Sequence, residues 1–160
     1  MNKFLLMGFV SAACWMGVAQ AVDAGTPRFE EFAVSDTFAG KAAKVRLVSA
    51  SDKEYATRIR EASRQKPNFA GHCVLASWGC GASCVSSVAI NAKTGRVTWL
   101  PFTVCCWDVD VKEPLEFRRD SRLLVVHGSR NEEGSGTYYY ALDKEGNFKL
   151  VKAVEKTAKN

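Results

Sequence analysis

Cysteine is the residue with the most chemistry in this chain, and six are present: Cys14, Cys73, Cys80, Cys84, Cys105 and Cys106. Thiols can pair, hold soft metals or act as nucleophiles, and spacing decides among these roles. Structural zinc favours Cys-x2-Cys pairs or His at regular spacing. Here Cys80 and Cys84 are separated by three residues and Cys105 and Cys106 are adjacent. The Cys-x-x-Cys of a thioredoxin-like redox site is absent. A cysteine hydrolase needs an imidazole beside its thiol, and the two histidines are His72 and His127. In a strand His72 and Cys73 face opposite ways, so both histidines read as structural imidazoles. Gly81-Ala-Ser83-Cys-Val85 lacks the last glycine of a serine-hydrolase elbow, and no glycine-rich phosphate loop occurs. The motifs therefore imply no catalytic set, no metal and no cofactor.

The N-terminus decides how many thiols count. Lys3 is the only charge before Asp23, Phe4 to Val18 is almost wholly apolar, and Ala19-Gln20-Ala21 offers small residues at a cleavage site. These are the three parts of a secretory signal peptide, expected over residues 1–21 with the cut after Ala21. The apolar run falls short of the roughly 20 residues needed to cross a bilayer. Cleavage would remove Cys14 and leave 139 residues with net charge +4 and five cysteines in an oxidising compartment, periplasmic or secreted. An odd count leaves at least one thiol unpaired. Fully extended, Cys80 and Cys84 would lie more than about 12 Å apart, whereas a disulfide wants Cα atoms about 5.5 Å apart; Gly79 and Gly81 permit the turn that closes this gap. Adjacent Cys105 and Cys106 point to opposite faces if both are in a strand. The expectation is therefore pairing between the clusters, Cys80 and Cys84 with Cys105 and Cys106, favoured over a Cys80–Cys84 loop and over a strained vicinal Cys105–Cys106 bond, with Cys73 left as a free, buried thiol.

Two further places could carry chemistry. Asp108 and Asp110 alternate with Trp107, Val109 and Val111. On a strand their carboxylates share one face, where they could hold calcium, act as an acid and base pair, or simply be solvated. The stretch Arg130-Asn-Glu-Glu-Gly-Ser-Gly136 reads as a charged loop between two strong strands. Arg130, Asn131, Glu132, Glu133 and Ser135, with Tyr138 and Tyr139 beyond them, are its candidate binding residues, since tyrosines give rigid contact area at small entropic cost.

The elements that must position these groups are mostly strands. Residues 22–28 form a flexible lead-in and 29–155 a single β-rich domain. Ala43 to Ser49 alternates with period two and reads as a strand, as do Cys73 to Trp78, Val85 to Ile90, Arg96 to Phe102, Leu123 to Gly128, Thr137 to Leu142 and Asn147 to Val154. One amphipathic helix is expected near residues 52–65. Ser51 and Glu54 make a capping box, Tyr55, Ile59 and Ala62 form an apolar stripe, and Pro67 ends the helix. The fold class is mainly β: an antiparallel meander, sandwich or open barrel with one helix.

Phe117 to Val126 followed by Tyr138 to Leu142 resembles one blade of a TolB-like or WD-type β-propeller, but 139 residues cannot supply even four blades. Asn68-Phe-Ala-Gly71, Trp78-Gly-Cys-Gly-Ala-Ser-Cys84 and Thr94-Gly-Arg-Val97 resemble a group of exported bacterial proteins without an assigned activity. That resemblance implies a shared fold and a periplasmic address and carries no catalytic residue across. Ser135-Gly-Thr-Tyr-Tyr139 is similar to the Ser-Gly-x-x-Tyr element of periplasmic C-type lysozyme inhibitors. The expected function is a non-enzymatic binding protein, an inhibitor or immunity protein whose partner is periplasmic or acts on the cell wall. The alternatives are a thiol-dependent enzyme or redox protein and a structural envelope component. Net charge is spread along the chain, so nucleic acid is not an expected partner.

Overall fold

The computed structural model describes residues 25–156. The expected signal peptide, its cut after Ala21, Cys14 and the start of the lead-in lie outside the described residues. Eight strands form one antiparallel sheet: β1 (Cys73–Gly81), β2 (Cys84–Asn91), β3 (Val97–Trp99), β4 (Val104–Cys105), β5 (Leu115–Phe117), β6 (Leu123–Arg130), β7 (Glu133–Leu142) and β8 (Phe148–Glu155). The principal order is β1-β2-β4-β6-β7-β8, with β3 also on β2 and β5 also on β6. The protein is thus mainly β, as expected, and the sheet is open. Tight hairpins join β1 to β2, β6 to β7 and β7 to β8. The join between the two halves is slender. Among the described residues β4 alone pairs with both β2 and β6, through Cys84↔Cys105 and Val85↔Val104 on one side and Val104↔Arg130 and Cys105↔Ser129 on the other.

Alternation sends one face of every long strand to a common core. Leu75, Ala89, Val104, Leu124, Val126, Tyr138, Tyr140, Leu142 and Phe148 cluster with Phe69, whose ring stacks on Phe148 with centroids 6.2 Å apart. That contact requires the sheet to curl, because Phe69 precedes the first strand and Phe148 opens the last. The other face is covered in two places. Over β1 to β3 lie α1 (Ala50–Glu54) and α2 (Ala56–Ala62), whose Ile59 and Ala62 pack on Val74, Trp78, Val88 and Ile90. Over β6 and β7 lies a short 3-10 turn, Phe29–Phe32, whose Phe29 and Phe32 pack on Leu123, Val125 and Tyr139.

The helix sits where the apolar stripe placed it but is broken at Tyr55, and its cap is shifted. Ser49 rather than Ser51 caps it, and Asp52 rather than Glu54 closes the box. The Asp52 amide donates to Ser49 Oγ at 3.0 Å, and Asp52 Oδ2 accepts from the amides of Val48 and Ser49 at 2.8 and 2.9 Å. The reason is tertiary: Trp99 Nε1 on β3 donates to Asp52 Oδ1 at 2.8 Å, which draws this carboxylate inward and leaves Glu54 in solvent. Tyr55, Trp78 and Trp99 complete the joint with ring centroids 5.4 to 5.5 Å apart.

Two expected strands are absent. Ala43 to Ser49 makes one isolated bridge, Arg46↔Arg96, while Val45 and Leu47 are half-buried against the helix-side cluster. Trp107 to Val111 is a turn, closed by the Val111 amide donating to Asp108 O at 3.0 Å, with Val109 fully exposed. At Val45 and Leu47 alternating polarity reports half-burial without a ladder, whereas Asp108, Val109 and Asp110 are all exposed and the alternation there reports neither. Among the described residues no helix is long and apolar enough to cross a membrane.

Candidate functional site

The short strand β4 gathers most of the chemically interesting residues around it. β1 ends and β2 begins at the turn bearing Cys80 and Cys84; β4 carries Cys105; β6 ends and β7 begins at Asn131 and Glu132. Because Cys84 pairs with Cys105 and Cys105 with Ser129, the two hairpins flank β4 with β2 parallel to β6, and their tips project past opposite ends of β4. Cys80, Cys84, Cys105, Cys106, Arg130, Asn131, Glu132 and Glu133 are therefore neighbours, as no local sequence pattern could have shown.

The cysteine pairing differs from the expectation. Cys80 and Cys84 form a disulfide with Cα atoms 5.3 Å apart, so the pairing between clusters is not the one present. The turn that the flanking glycines permit is the reason: Ser83 takes a left-handed φ of 50° and Gly81 a φ of 146°. Cys105 and Cys106 remain thiols, and they do not diverge as adjacent strand residues would. The strand stops at Cys105, and Cys106 turns to a left-handed φ of 56°, which brings its Sγ within 2.6 Å of Cys105 Sγ. Gly128 makes room for this turn. It has φ of 117°, and an added Cβ would collide with Cys105 O and lie 3.2 Å from the Trp107 Cβ. Burial, and next the hydrogen bond with Cys106, raise the Cys105 pKa, while the Glu132 backbone amide pulls it the other way.

The expected charged loop is also different. Asn131 and Glu132, with φ of 52° and 67°, form a two-residue turn, and Arg130 already pairs with Glu133 across the ladder. Both central residues at positive φ is the geometry of a type I′ hairpin turn, here without glycine. The stretch 133–136 is strand, and Gly136 is required there because an added Cβ would strike Val154 O in β8. Asn131 ties the tip to the approach of β4: its amide donates to Thr103 O and its Oδ1 accepts from the Thr103 amide, each at 2.9 Å.

Arg130 does not reach into solvent. Its guanidinium carbon lies 3.8 Å from the Tyr138 ring centroid, and Nη1 donates to the Tyr140 hydroxyl at 2.8 Å. Over it opens a pocket of about 440 Å³ lined by Phe102, Asn131, Glu133 and Glu155 among others. Arg130 Nε and the Tyr138 hydroxyl are buried there without a hydrogen-bond partner of normal geometry.

The remaining expected site residues lie elsewhere. Tyr138 is wholly buried in the main core, and Tyr139 is buried under Phe29 and Phe32 on the other face, so neither offers surface contact. Ser135 is half-buried in β7 beside His127 and Lys156. Asp108 pairs with Lys156 instead of facing Asp110 across an ion site, and among the described residues no group of three His, Cys, Asp or Glu side chains converges as metal ligands would. Cys73 is 2% exposed at the far end of β1, and burial pushes its thiol up to about 12. That is the opposite of an activated nucleophile. His72, expected in a strand, stands in the turn before β1, and burial, then Lys93, lower its pKa. His127 is in β6, where its Nε2 meets Glu116 Oε1 at 2.8 Å and its Nδ1 meets Thr137 Oγ1 at 3.3 Å.

Thr103, Gly128 and Glu155 also surround these residues and were not singled out from the sequence. Only Gly128 carried a signal, as a lone glycine within an apolar strand. Comparison with protein-family models, curated proteins and solved structures returned no match.

Proposed function

We propose that the protein is an exported, periplasmic binding protein without catalysis of its own, which blocks an enzyme acting on the cell wall through the tip of the β6–β7 hairpin. One observation carries the reading: of the two rigid hairpin tips, which project past opposite ends of β4, the first is closed by the Cys80–Cys84 disulfide and the second, the turn at Asn131 and Glu132, is clamped by Asn131 on Thr103. A surface already held in place avoids the ordering cost that weakens a mobile loop. The second tip is acidic, with Glu132 and Glu133 exposed on an otherwise basic chain, and it suits a positively charged cleft. The contact is the two-residue tip rather than a long inserted loop.

The test is capture of a cell-wall-acting enzyme from periplasmic extract on immobilised protein. E132K/E133K at the tip is compared with E145K in the turn before β8, at the opposite end of the sheet. Capture by wild type and E145K but not by E132K/E133K supports the reading. Capture by all three, or by none, sinks it, and the last result leaves a structural envelope role.

A further inference from the structure

We propose that Cys80, Cys84, Cys105 and Cys106 form a thiol-disulfide relay, in which the Cys80–Cys84 bond passes through a Cys84–Cys105 intermediate to the adjacent pair Cys105–Cys106. The proposal stands on the placement of the four sulfurs and does not depend on the binding reading above.

Cys84 and Cys105 are directly opposed across the β2–β4 ladder. Opposed residues project from the same face with Cβ atoms about 4.5 to 5.5 Å apart. A disulfide needs about 3.8 Å, a gap that a small movement of a two-residue strand can close. Beyond Cys105 the left-handed turn at Cys106 holds the next sulfur 2.6 Å away. The sulfurs are therefore arranged in sequence: Cys80 bonded to Cys84, Cys84 opposed to Cys105, Cys105 against Cys106. Exposure follows the same order, with Cys80 and Cys106 in solvent at the two ends and Cys84 and Cys105 more covered between them.

The chemistry is two exchanges. In the first, the Cys105 thiol loses its proton and the thiolate attacks Cys84 Sγ. The Cys84–Cys105 bond forms, the Cys80–Cys84 bond breaks, and Cys80 leaves as a thiolate that takes up the proton. In the second, the Cys106 thiolate attacks Cys105 Sγ, the Cys105–Cys106 bond forms, and Cys84 leaves as a thiolate and is protonated. Two electrons have moved from the Cys105 and Cys106 pair to the Cys80 and Cys84 pair. The net change is an isomerisation, so no outside oxidant or reductant is needed. Its consequence is a choice of outward-facing group: in one form Cys106 is a free surface thiol, in the other Cys80 is. The raised pKa of Cys105 makes the first attack the slow one near neutral pH.

The experiment maps disulfides in the purified chain after incubation in a glutathione redox buffer, acid quenching, alkylation and non-reducing digestion. In C106S the second exchange is impossible, and a Cys84–Cys105 peptide with free Cys80 should accumulate. In C80S the competing partner of Cys84 is gone, and the same Cys84–Cys105 peptide should appear beside a Cys105–Cys106 peptide. Near-UV circular dichroism checks that each variant keeps its tertiary packing, and reading the same intermediate in two variants guards against one failing to fold. Wild type carrying one disulfide per chain should yield both Cys80–Cys84 and Cys105–Cys106 peptides. If that form contains only Cys80–Cys84, and neither folded variant gives Cys84–Cys105, the four sulfurs do not communicate and the relay is wrong.

Discussion

Asn131 offers a direct measure of how firmly the second tip is held. Its side chain makes one hydrogen bond that counts, from the Thr103 amide to Oδ1 at 2.9 Å, and its backbone sits at a left-handed φ of 52°. Three substitutions separate these contributions. N131D keeps an acceptor and tolerates the left-handed region, so it should cost little. N131G keeps the backbone freedom and loses the acceptor, a loss of about 1 kcal/mol. N131A loses the acceptor and adds a left-handed penalty of about 1 kcal/mol, for a total of about 2 kcal/mol. Urea unfolding followed by tryptophan fluorescence reads the series; with a slope of about 1.5 kcal/mol/M, N131A should lower the midpoint by more than about 1 M, roughly twice the shift of N131G. Equal shifts for alanine and glycine would remove the conformational part of the argument. An N131D midpoint as low as that of N131A would remove the hydrogen-bond part.

Asp52 should matter for stability and acid resistance together. Its three donors, the amides of Val48 and Ser49 and Trp99 Nε1, are orphaned in D52A at a cost of about 3 kcal/mol. Burial would raise its pKa, but the bonds from Trp99, Ser49 and Val48 outweigh burial and lower it. The stabilisation is therefore present above the unfolded carboxyl value of about 3.9 and lost as pH falls through the lower folded value. The stability gap between wild type and D52A should hold from neutral pH to about 4 and close below it; a gap unchanged at pH 2 would contradict this. Cys73 gives the opposite sign. With its folded pKa raised from 9.0 to about 12, its contribution is complete below pH 9 and is lost as pH climbs toward 12, and a thiol reagent at neutral pH should label Cys73 only after denaturation. Labelling of Cys73 in the native protein would show that it is not sealed in the core. G128A should cost at least about 2 kcal/mol, because its Cβ meets Cys105 O and the residue sits at φ of 117°; an unchanged unfolding midpoint would mean the Cys105 to Trp107 turn is not held against β6.

Much of the sheet could be read before any coordinates. Cys73 to Trp78, Val85 to Ile90, Leu123 to Gly128, Thr137 to Leu142 and Asn147 to Val154 all lie within observed strands except for Asn147, because β-branched residues in alternation report both a pleat and a buried face. The same alternation misled at Val45 and Leu47 and at Trp107 to Val111, where residues are covered or turned without a ladder. β4 and β5 are too short for periodicity to register at all. The tip was obscured for a different reason: Gly134 and Gly136 look like loop residues, yet the turn uses Asn131 and Glu132, while Gly136 is where β8 approaches too closely for a side chain. The cysteine arrangement was hidden because it depends on a left-handed φ at Cys106, which breaks the strand rule that adjacent side chains face apart.

If the tip of the β6–β7 hairpin is the working surface of the molecule, the protein must inhibit peptidoglycan hydrolysis through it. A lysozyme acting on isolated cell wall is titrated with wild-type protein, E132K/E133K and E145K. Wild type and E145K should inhibit at equal concentrations, E132K/E133K should be at least about tenfold weaker, and the wild-type effect should weaken as salt rises. No inhibition by wild type, or inhibition of equal strength by the tip variant, would contradict it.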